Sequence, residues 1–380
     1  MNGPDLHTPV REPVRRWGAS VEQYPRGTHT VPASRYSDPA HFQRELDLVL
    51  RRHWLFGGVS TEVPEPGDFK VWEHMGETVV IIRKTDGTLN AFHNVCQHRG
   101  ARIVPADGHC DRYFECKWHG WRYDEEGTVV RVPKREDFDP AALEGLRAMA
   151  VAVAEWRGLI FLNLAGPAEA PDFVEYLGEI ADEFAPFGVE HMASFHHQSR
   201  PLTANWKAVL DGFNEAYHGA TTHKVFNDNE LWNLDQMSIA TMGLHDGYFL
   251  PYRFLWDQMQ ATEDHHQYAT CHYLVFPNTI FLFQPAIDTL NIMVAWPEEV
   301  GLTEFEFQLL SGPKADPGVV STVADHFNLV LDEDAYAMVQ SGATLRSLAY
   351  QRNLFGRREG RLTNLAENLE RILGDDEPCA

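Results

Sequence analysis

Positive charge is in short supply in this chain: 32 lysines and arginines face 55 aspartates and glutamates, a formal net charge of -23. Nucleic acids and anionic membranes need clustered Lys and Arg, so neither is an expected partner, whereas basic proteins remain open. A spanning helix needs about 18 consecutive apolar residues, and the longest such run here, around Gly158 to Leu164, has only the length of a strand. Met1 to Ser20 lacks the apolar centre of a signal peptide. Five cysteines are an odd set in a chain without an export signal, so a reducing cytoplasm is the expected setting. Cys110, Cys271 and Cys379 are expected bystanders, not a disulfide framework. There is no Gly-rich dinucleotide fingerprint, no internal repeat and no low-complexity tract. What is left is a globular composition, 44% hydrophobic and 23% charged over 380 residues, with room for two domains.

Against that background, two stretches gather metal-ligating side chains. The first, CQHRGARIVPADGHCDRYFECKWHGWRY from Cys96 to Tyr123, holds Cys96 and His98 as one pair and Cys116 and His119 as another, with seventeen residues between the pairs. Cys-x-His cannot ligate from one helical turn, and both pairs run into glycines, Gly100 and Gly120, so each is expected at the tip of a β-hairpin loop. A lone cysteine or histidine is usually a core or surface residue. Four at paired spacing make a metal site. Two thiolates and two imidazoles suit tetrahedral zinc, and they equally suit a cluster with one iron on two cysteines and the other on two histidines. The four residues alone do not choose.

Their surroundings lean one way. Cys-x-His-Arg-Gly followed by Cys-x-x-His-Gly-Trp-x-Tyr resembles the Rieske fingerprint, with Lys117 and Trp118 where that fingerprint usually has Pro-Tyr. The change touches packing and exposure of the tip and spares every ligand.

In the second stretch, Asn205-Trp206-Lys207 opens a predicted helix with Trp206, Val209, Leu210, Phe213 and Tyr217 on one apolar face. Asp211, Glu215 and His218, at steps of four and three, stack on the opposite stripe. Taken alone, such a stripe is usually solvated surface. His223, however, follows His218 with four residues between, a spacing that would swing it more than roughly 100° away on a continuous helix. Gly219 is the expected break that lets both imidazoles turn to one point. Two imidazoles and a carboxylate on one face of an ion form the facial triad of mononuclear non-haem Fe(II).

Asn-Trp-Lys, an acid three residues before His, and His-x4-His together resemble the catalytic motif of the Rieske non-haem iron oxygenases, the large (alpha) subunits of ring-hydroxylating oxygenases and related demethylases. The resemblance implies a [2Fe-2S] Rieske cluster on Cys96, His98, Cys116 and His119, and a mononuclear Fe(II) on His218, His223 and a late carboxylate. VLDEDAYAMVQSG, Val330 to Gly342, is similar to the family's Glu-Asp segment ending in Val-Gln-x-Gly, and counting back from Gln340 puts the ligand on Asp332. Asp334 is the competing choice, since residues two apart on a helix face different ways. Without the upstream histidines, a solvated Asp-Glu-Asp run would be the reading. Glu215 is implied as the link from the iron ligands to the Rieske histidine of a neighbouring subunit. The resemblance also implies that Asp211 sits near the iron, at a position where aromatic-ring dioxygenases often carry Asn. Glutamate at the linking position also occurs in relatives acting on quaternary amines such as carnitine.

The implied architecture is α+β. Residues 1–51 are expected to form a proline-rich arm, able to wrap a neighbouring subunit, and a helix from Asp38 through Arg51. Residues 52–162 are expected to form an all-β Rieske domain. Residues 163–380 are expected to form a helix-grip catalytic domain of the START and Bet v1-like kind, with an antiparallel sheet. A single helix is expected over Phe173 to Phe187, and a final amphipathic one over Thr363 to Leu373. Phe226, Trp232, Met237, Phe276 and Phe283 are candidate walls of an apolar pocket, though each residue type is commoner in a core. The implied activity is O2-dependent mono- or dihydroxylation, or oxidative demethylation, of a small aromatic or other organic substrate, with a quaternary-amine monooxygenase of the carnitine type as the alternative. Implied partners are a separate NAD(P)H-dependent reductase, a ferredoxin in some systems, two further copies in a homotrimer, and room for a small beta subunit. The reading from another class is a non-catalytic electron carrier or ligand-binding protein. Such a carrier needs only the first motif and a chain of roughly 100 residues.

Overall fold

Asp38 and Pro39 start the first helix as their chemistry predicts: the Asp38 carboxylate accepts from the Ala40 N–H, and proline occupies the first turn, where its missing N–H costs nothing. This entry helix, Pro39–Glu45, widens into a π-helical turn over Leu46–Leu50 and buries Phe42, Leu46, Val49 and Leu50. The computed structural model describes residues 19–20, 28–223, 231–232, 236–261 and 266–374. Of the arm, the described parts pair within this chain: Ala19–Ser20 with Ser238 and Ile239, and His29–Pro32 with Arg352–Phe355. The rest of the arm, and Cys379, lie outside the described residues.

A seven-stranded antiparallel sheet follows, in the order Leu55–Val59, Leu159–Asn163, Ala150–Trp156, Leu89–His93, Glu77–Arg83, Asp68–His74, Gly108–His109. A small three-stranded sheet, Val129–Arg131, Arg122–Tyr123 and Phe114–Glu115, completes this body. The two metal fingers are built alike. The Gly100 N–H donates to the Cys96 carbonyl at 2.9 Å and the Gly120 N–H to the Cys116 carbonyl at 2.9 Å. Both glycines take positive φ, +75° and +71°, which an L side chain rarely adopts, so glycine is what allows each loop to close.

The second body is an eight-stranded antiparallel sheet in the order Ala19–Ser20, Ser238–Met242, His245–Pro251, Ala269–Val275, Thr279–Gln284, Thr289–Glu299, Leu302–Ser311, Ala193–Leu202. Phe305, Phe307 and Leu309 alternate inward along their strand and are buried. The predicted helix over Phe173 to Phe187 is broken. It forms Phe173–Leu177, Glu179–Glu183 and a 3-10 turn Ala185–Phe187, with Gly178 at φ +52° between the first two.

Two helices lie against this sheet: a motif helix, Trp206–Phe213, and a long helix, Pro317–Thr344. They approach closely because two contact positions are glycine. A Cβ on Gly342 would come within 2.7 Å of the Thr203 carbonyl oxygen, and one on Gly212 would collide with Met338. The last helix, Gly360–Leu373, buries Leu365 and Leu369, and its Arg361 is fully buried with Asp246 at 2.5 Å. Among the described residues no helix is long and apolar enough to cross a membrane.

The two bodies meet at a polar cluster with an aromatic floor. His74 stacks on Trp296 at 4.1 Å, Trp72 meets the same indole edge-on at 5.3 Å, and Glu306 takes the Trp296 N–H at 2.7 Å and His197 at 3.0 Å. Burial opposes ionisation of Glu306, but the bonds from His197 and Trp296 prevail and bring it down to about 2. Burial holds His74 down to about 4, whereas the bond to Glu306 raises His197, so of the two imidazoles His197 keeps its proton to the higher pH. A raised histidine contributes stability that is complete below its ordinary pKa and lost as pH rises through the raised value. Thermal melts of the protein and of His197→Gln across pH 5.5 to 9 are therefore expected to differ most at the acidic end and to converge as the pH climbs.

Candidate functional site

At the fingers, Cys96 and Cys116 are buried while His119 is exposed and His98 half-buried, so the thiols lie inside and the imidazoles face out. The two imidazole Nδ1 atoms are 3.1 Å apart. Tyr123 donates its O–H to Cys96 Sγ at 3.2 Å and accepts the Gln97 N–H at 2.9 Å, fixing the first finger. Trp121 stacks on His98 with ring centroids 5.0 Å apart and planes 7° from parallel. A tetrahedral zinc needs four donors around one point. Here the donors stand as a cysteine pair and a histidine pair, and among the described residues the one group of three donors lying within 4.8 Å of one another is found elsewhere. The paired arrangement fits a two-iron cluster. Lys117 and Trp118 are both exposed, Trp118 at 54%, with the Arg99 guanidinium 4.4 Å from its ring.

That group of three is His218, His223 and Asp334. Asn205 caps the motif helix by accepting the Lys207 N–H at 3.0 Å. The helix ends at Phe213, so the break comes at Asn214, ahead of Glu215, and not at Gly219 as expected. Gly219–Thr222 forms one short helical turn, with His218 at its start and His223 just past its end. This brings His218 Nε2 and His223 Nε2 to 3.0 Å, with Asp334 Oδ1 at 3.4 Å and 3.2 Å from them. Three ligands each about 2.1 Å from a common ion at near-right angles would stand about 3 Å apart, so the donor set fits one face of a first-row metal's shell. On the far side of each ring a carboxylate engages Nδ1: Glu215 on His218, and Glu333 Oε2 on His223 at 2.9 Å. Burial disfavours charge on both imidazoles, but these acids and Asp334 outweigh it and hold both histidines above their ordinary range. The site is a well of negative potential suited to a cation.

Two sequence expectations need correction. Asp332 does not join the histidines; its side chain is 70% exposed and pairs with Arg200 at 2.6 Å, while Asp334 is buried. Two residues on an α-helix turn by roughly 200°, so only one of these acids can face inward. Asp211 does not face the metal-binding group either. Its carboxylate accepts the Tyr36 O–H at 2.7 Å behind the motif helix, where burial pushes it up to about 7 despite Tyr36 and Lys207. Beside it Glu45 receives Lys207 at 2.5 Å and the Trp206 N–H at 2.9 Å, so this polar cluster anchors the motif helix to the entry helix.

A cavity of about 370 Å³ opens onto His218, His223 and Asp334 and is walled by Phe213, Trp232, Tyr248, Leu250, Leu282, Met293 and Phe327. Of the predicted wall residues, Trp232 takes part; Met237, Phe276 and Phe283 are buried in the core, and Phe226 lies outside the described residues. Tyr248, His272 and Phe327 were missed. Tyr248 and His272 lie on strands whose residues are buried throughout, so alternation could not single them out.

Comparison with known proteins agrees with this geometry. Residues 53–150 match the Rieske [2Fe-2S] domain and residues 189–375 the catalytic domain of the ring-hydroxylating alpha subunit. The chain is 36% identical over 203 residues to the biphenyl 2,3-dioxygenase subunit alpha of Rhodococcus jostii, covering 49% of this chain and 42% of the relative. It is 32% identical over 201 residues to the glycine betaine monooxygenase oxygenase subunit of Chromohalobacter salexigens, covering 52% and 44%. The matched part is thus less than half the length of these curated relatives. In fold, it is similar to a quaternary ammonium Rieske monooxygenase in complex with L-carnitine (TM-score 0.79, 19% identity, 90% of this chain and 95% of that one). It is also similar to naphthalene 1,2-dioxygenase with indole bound (TM-score 0.72, 18% identity, 94% and 96%).

Anaerobically purified protein is expected to hold about three irons and about two acid-labile sulfides per chain. Asp334→Ala should lower the iron count to about two with sulfide unchanged, and Asp332→Ala should leave both counts as they were. Elemental analysis with sulfide assay reads both.

Proposed function

Because this chain belongs to the Rieske-type ring-hydroxylating oxygenase alpha subunits, with the cluster domain and the catalytic domain in one polypeptide, we propose that it is the oxygenase component of a multicomponent system that hydroxylates a small aromatic substrate. The observation that carries this reading is the cavity: apolar and aromatic side chains surround one open face of the group His218, His223 and Asp334. Cys96, His98, Cys116 and His119 would hold a [2Fe-2S] cluster supplying electrons singly, and His218, His223 and Asp334 an Fe(II) with open positions for dioxygen.

The chain's own residues do the positioning. Glu215 is anchored by the backbone N–H of His218 at 3.1 Å and holds His218 at Nδ1, which leaves Nε2 directed at the shared point. Phe213, stacked on Phe305 at 4.7 Å, and Phe327, stacked on Phe307 at 4.4 Å, are rigid walls that keep water out and orient a flat ring. A quaternary amine would draw on open aromatic faces, and Tyr248 is already engaged: it stacks on His272 at 4.5 Å, and the Arg361 guanidinium, itself paired with Asp246, lies 4.8 Å from its ring. The apolar walls therefore favour a neutral aromatic.

Electrons are proposed to enter from a separate NAD(P)H-dependent reductase, with or without a ferredoxin, and to cross from the fingers of one copy to the Fe(II) group of the next in a head-to-tail trimer. In support, exposed apolar side chains occur on both faces. Trp118 stands beside His119 on the finger, and Tyr217, 64% exposed, is adjacent in sequence to His218. Glu215 would link His218 to the neighbour's finger histidine.

Glu215→Ala is expected to keep the cluster's absorption and EPR signals while losing about 10- to 100-fold in product formed per NADH with a surrogate reductase; unchanged coupling would remove the linking role. A product screen of arenes, aryl ethers and quaternary amines tests the substrate class. Exclusive turnover of the amines would overturn the aromatic reading.

A further inference from the structure

Resting on the reading of His218, His223 and Asp334 as an Fe(II) group, we propose that Glu333 is a positioning residue that sets the orientation and tautomer of His223. The long helix thereby grips one imidazole at both nitrogens. Asp334 Oδ1 approaches Nε2 at 3.2 Å and Glu333 Oε2 approaches Nδ1 at 2.9 Å, from consecutive residues of the same helix. Neighbouring helical side chains diverge by roughly 100°. The short Asp334 therefore reaches the inner edge of the ring, and the longer Glu333 side chain reaches its opposite edge.

The consequence for the ring follows from its donor inventory. A neutral imidazole carries one N–H, and an ionised carboxylate can only accept. Glu333 at Nδ1 therefore puts the proton there and leaves the lone pair on Nε2, the atom 3.0 Å from His218 Nε2. Glu215 does the same for His218, so the two rings are set by matching carboxylates from two different elements. The two acids are not equivalent. The Glu333 side chain is 39% exposed against 9% for Glu215, so water competes more for Glu333 and its effect is expected to be the smaller one. For the same reason Glu333 adds little to folding. A partly exposed pair of this kind is worth little to stability, and its influence should show at the metal.

The test compares Glu333→Ala, Glu333→Gln and Asp332→Ala with the parent protein. Each is dialysed against a graded Fe(II) chelator; the irons retained beyond the cluster are counted, and the EPR signal of the nitric oxide adduct of the mononuclear Fe(II) is recorded. Glu333→Ala is expected to bind Fe(II) about 10-fold more weakly, at the low end of the range for lost carboxylate–histidine partners, and to change the adduct's rhombicity. Its melting temperature without the third iron should match the parent's. Glu333→Gln, whose amide oxygen still accepts from Nδ1–H, should recover part of the affinity. Asp332→Ala, which removes a neighbouring charge outside the site, should behave as the parent. Parent-like affinity and spectrum in Glu333→Ala would overturn the assignment, as would an equal loss in Asp332→Ala. A parent protein that retains only the cluster irons would instead overturn the Fe(II) reading on which it rests.

Discussion

Bringing a buried aspartate, Asp334, up to two imidazoles that each already have a carboxylate behind them is an electrostatic demand that shapes the catalytic body. Three acids within reach of two histidines are tolerable in a partly desolvated pocket only where positive charge is nearby, and a dication at the common point supplies it most directly. The surrounding elements hold this arrangement against its own repulsion. The motif helix is tied down at its start by the Asn205 cap and at its back by Glu45, Lys207, Tyr36 and Asp211. The long helix is seated against it through glycine contacts, and the antiparallel sheet gives both a rigid bed.

Much of this was legible in the residue pattern because the chemistry was local. Paired Cys and His ending in glycine announced two closed loops, and the positive φ of Gly100 and Gly120 is the physical content of that signal. The Asp38-Pro39 start, the Phe42 to Leu50 stripe and the alternation of Phe305, Phe307 and Leu309 are likewise rules of one helix or one strand. His218 and His223 could be named because their spacing is inconsistent with a continuous helix, which pointed to a bend.

What escaped depended on contacts distant in sequence. Asp332 and Asp334 differ only in which way the long helix is rotated, and that is decided by packing against the motif helix and by Arg200 drawing Asp332 outward. Asp211 lay on the right stripe of an idealised helix, but the real helix stops at Phe213, and Tyr36, 175 residues upstream, claims its carboxylate. Glu333 passed without remark because an acid between two acids looks like solvated charge. Only the ring of His223 gives it a task.

Gly342 carries a consequence of its own. It lies about two turns, or roughly 12 Å, along the long helix from Asp334 and makes no contact with the donor group, yet its missing side chain lets the helix rest on the backbone that opens the motif helix. The gap between the two helix axes therefore works as a caliper. The closer the two helices sit, the nearer the long helix brings its Asp334 carboxylate to the segment past Phe213 that carries the two imidazoles, so a position that never touches the donors helps to set the stage on which they meet.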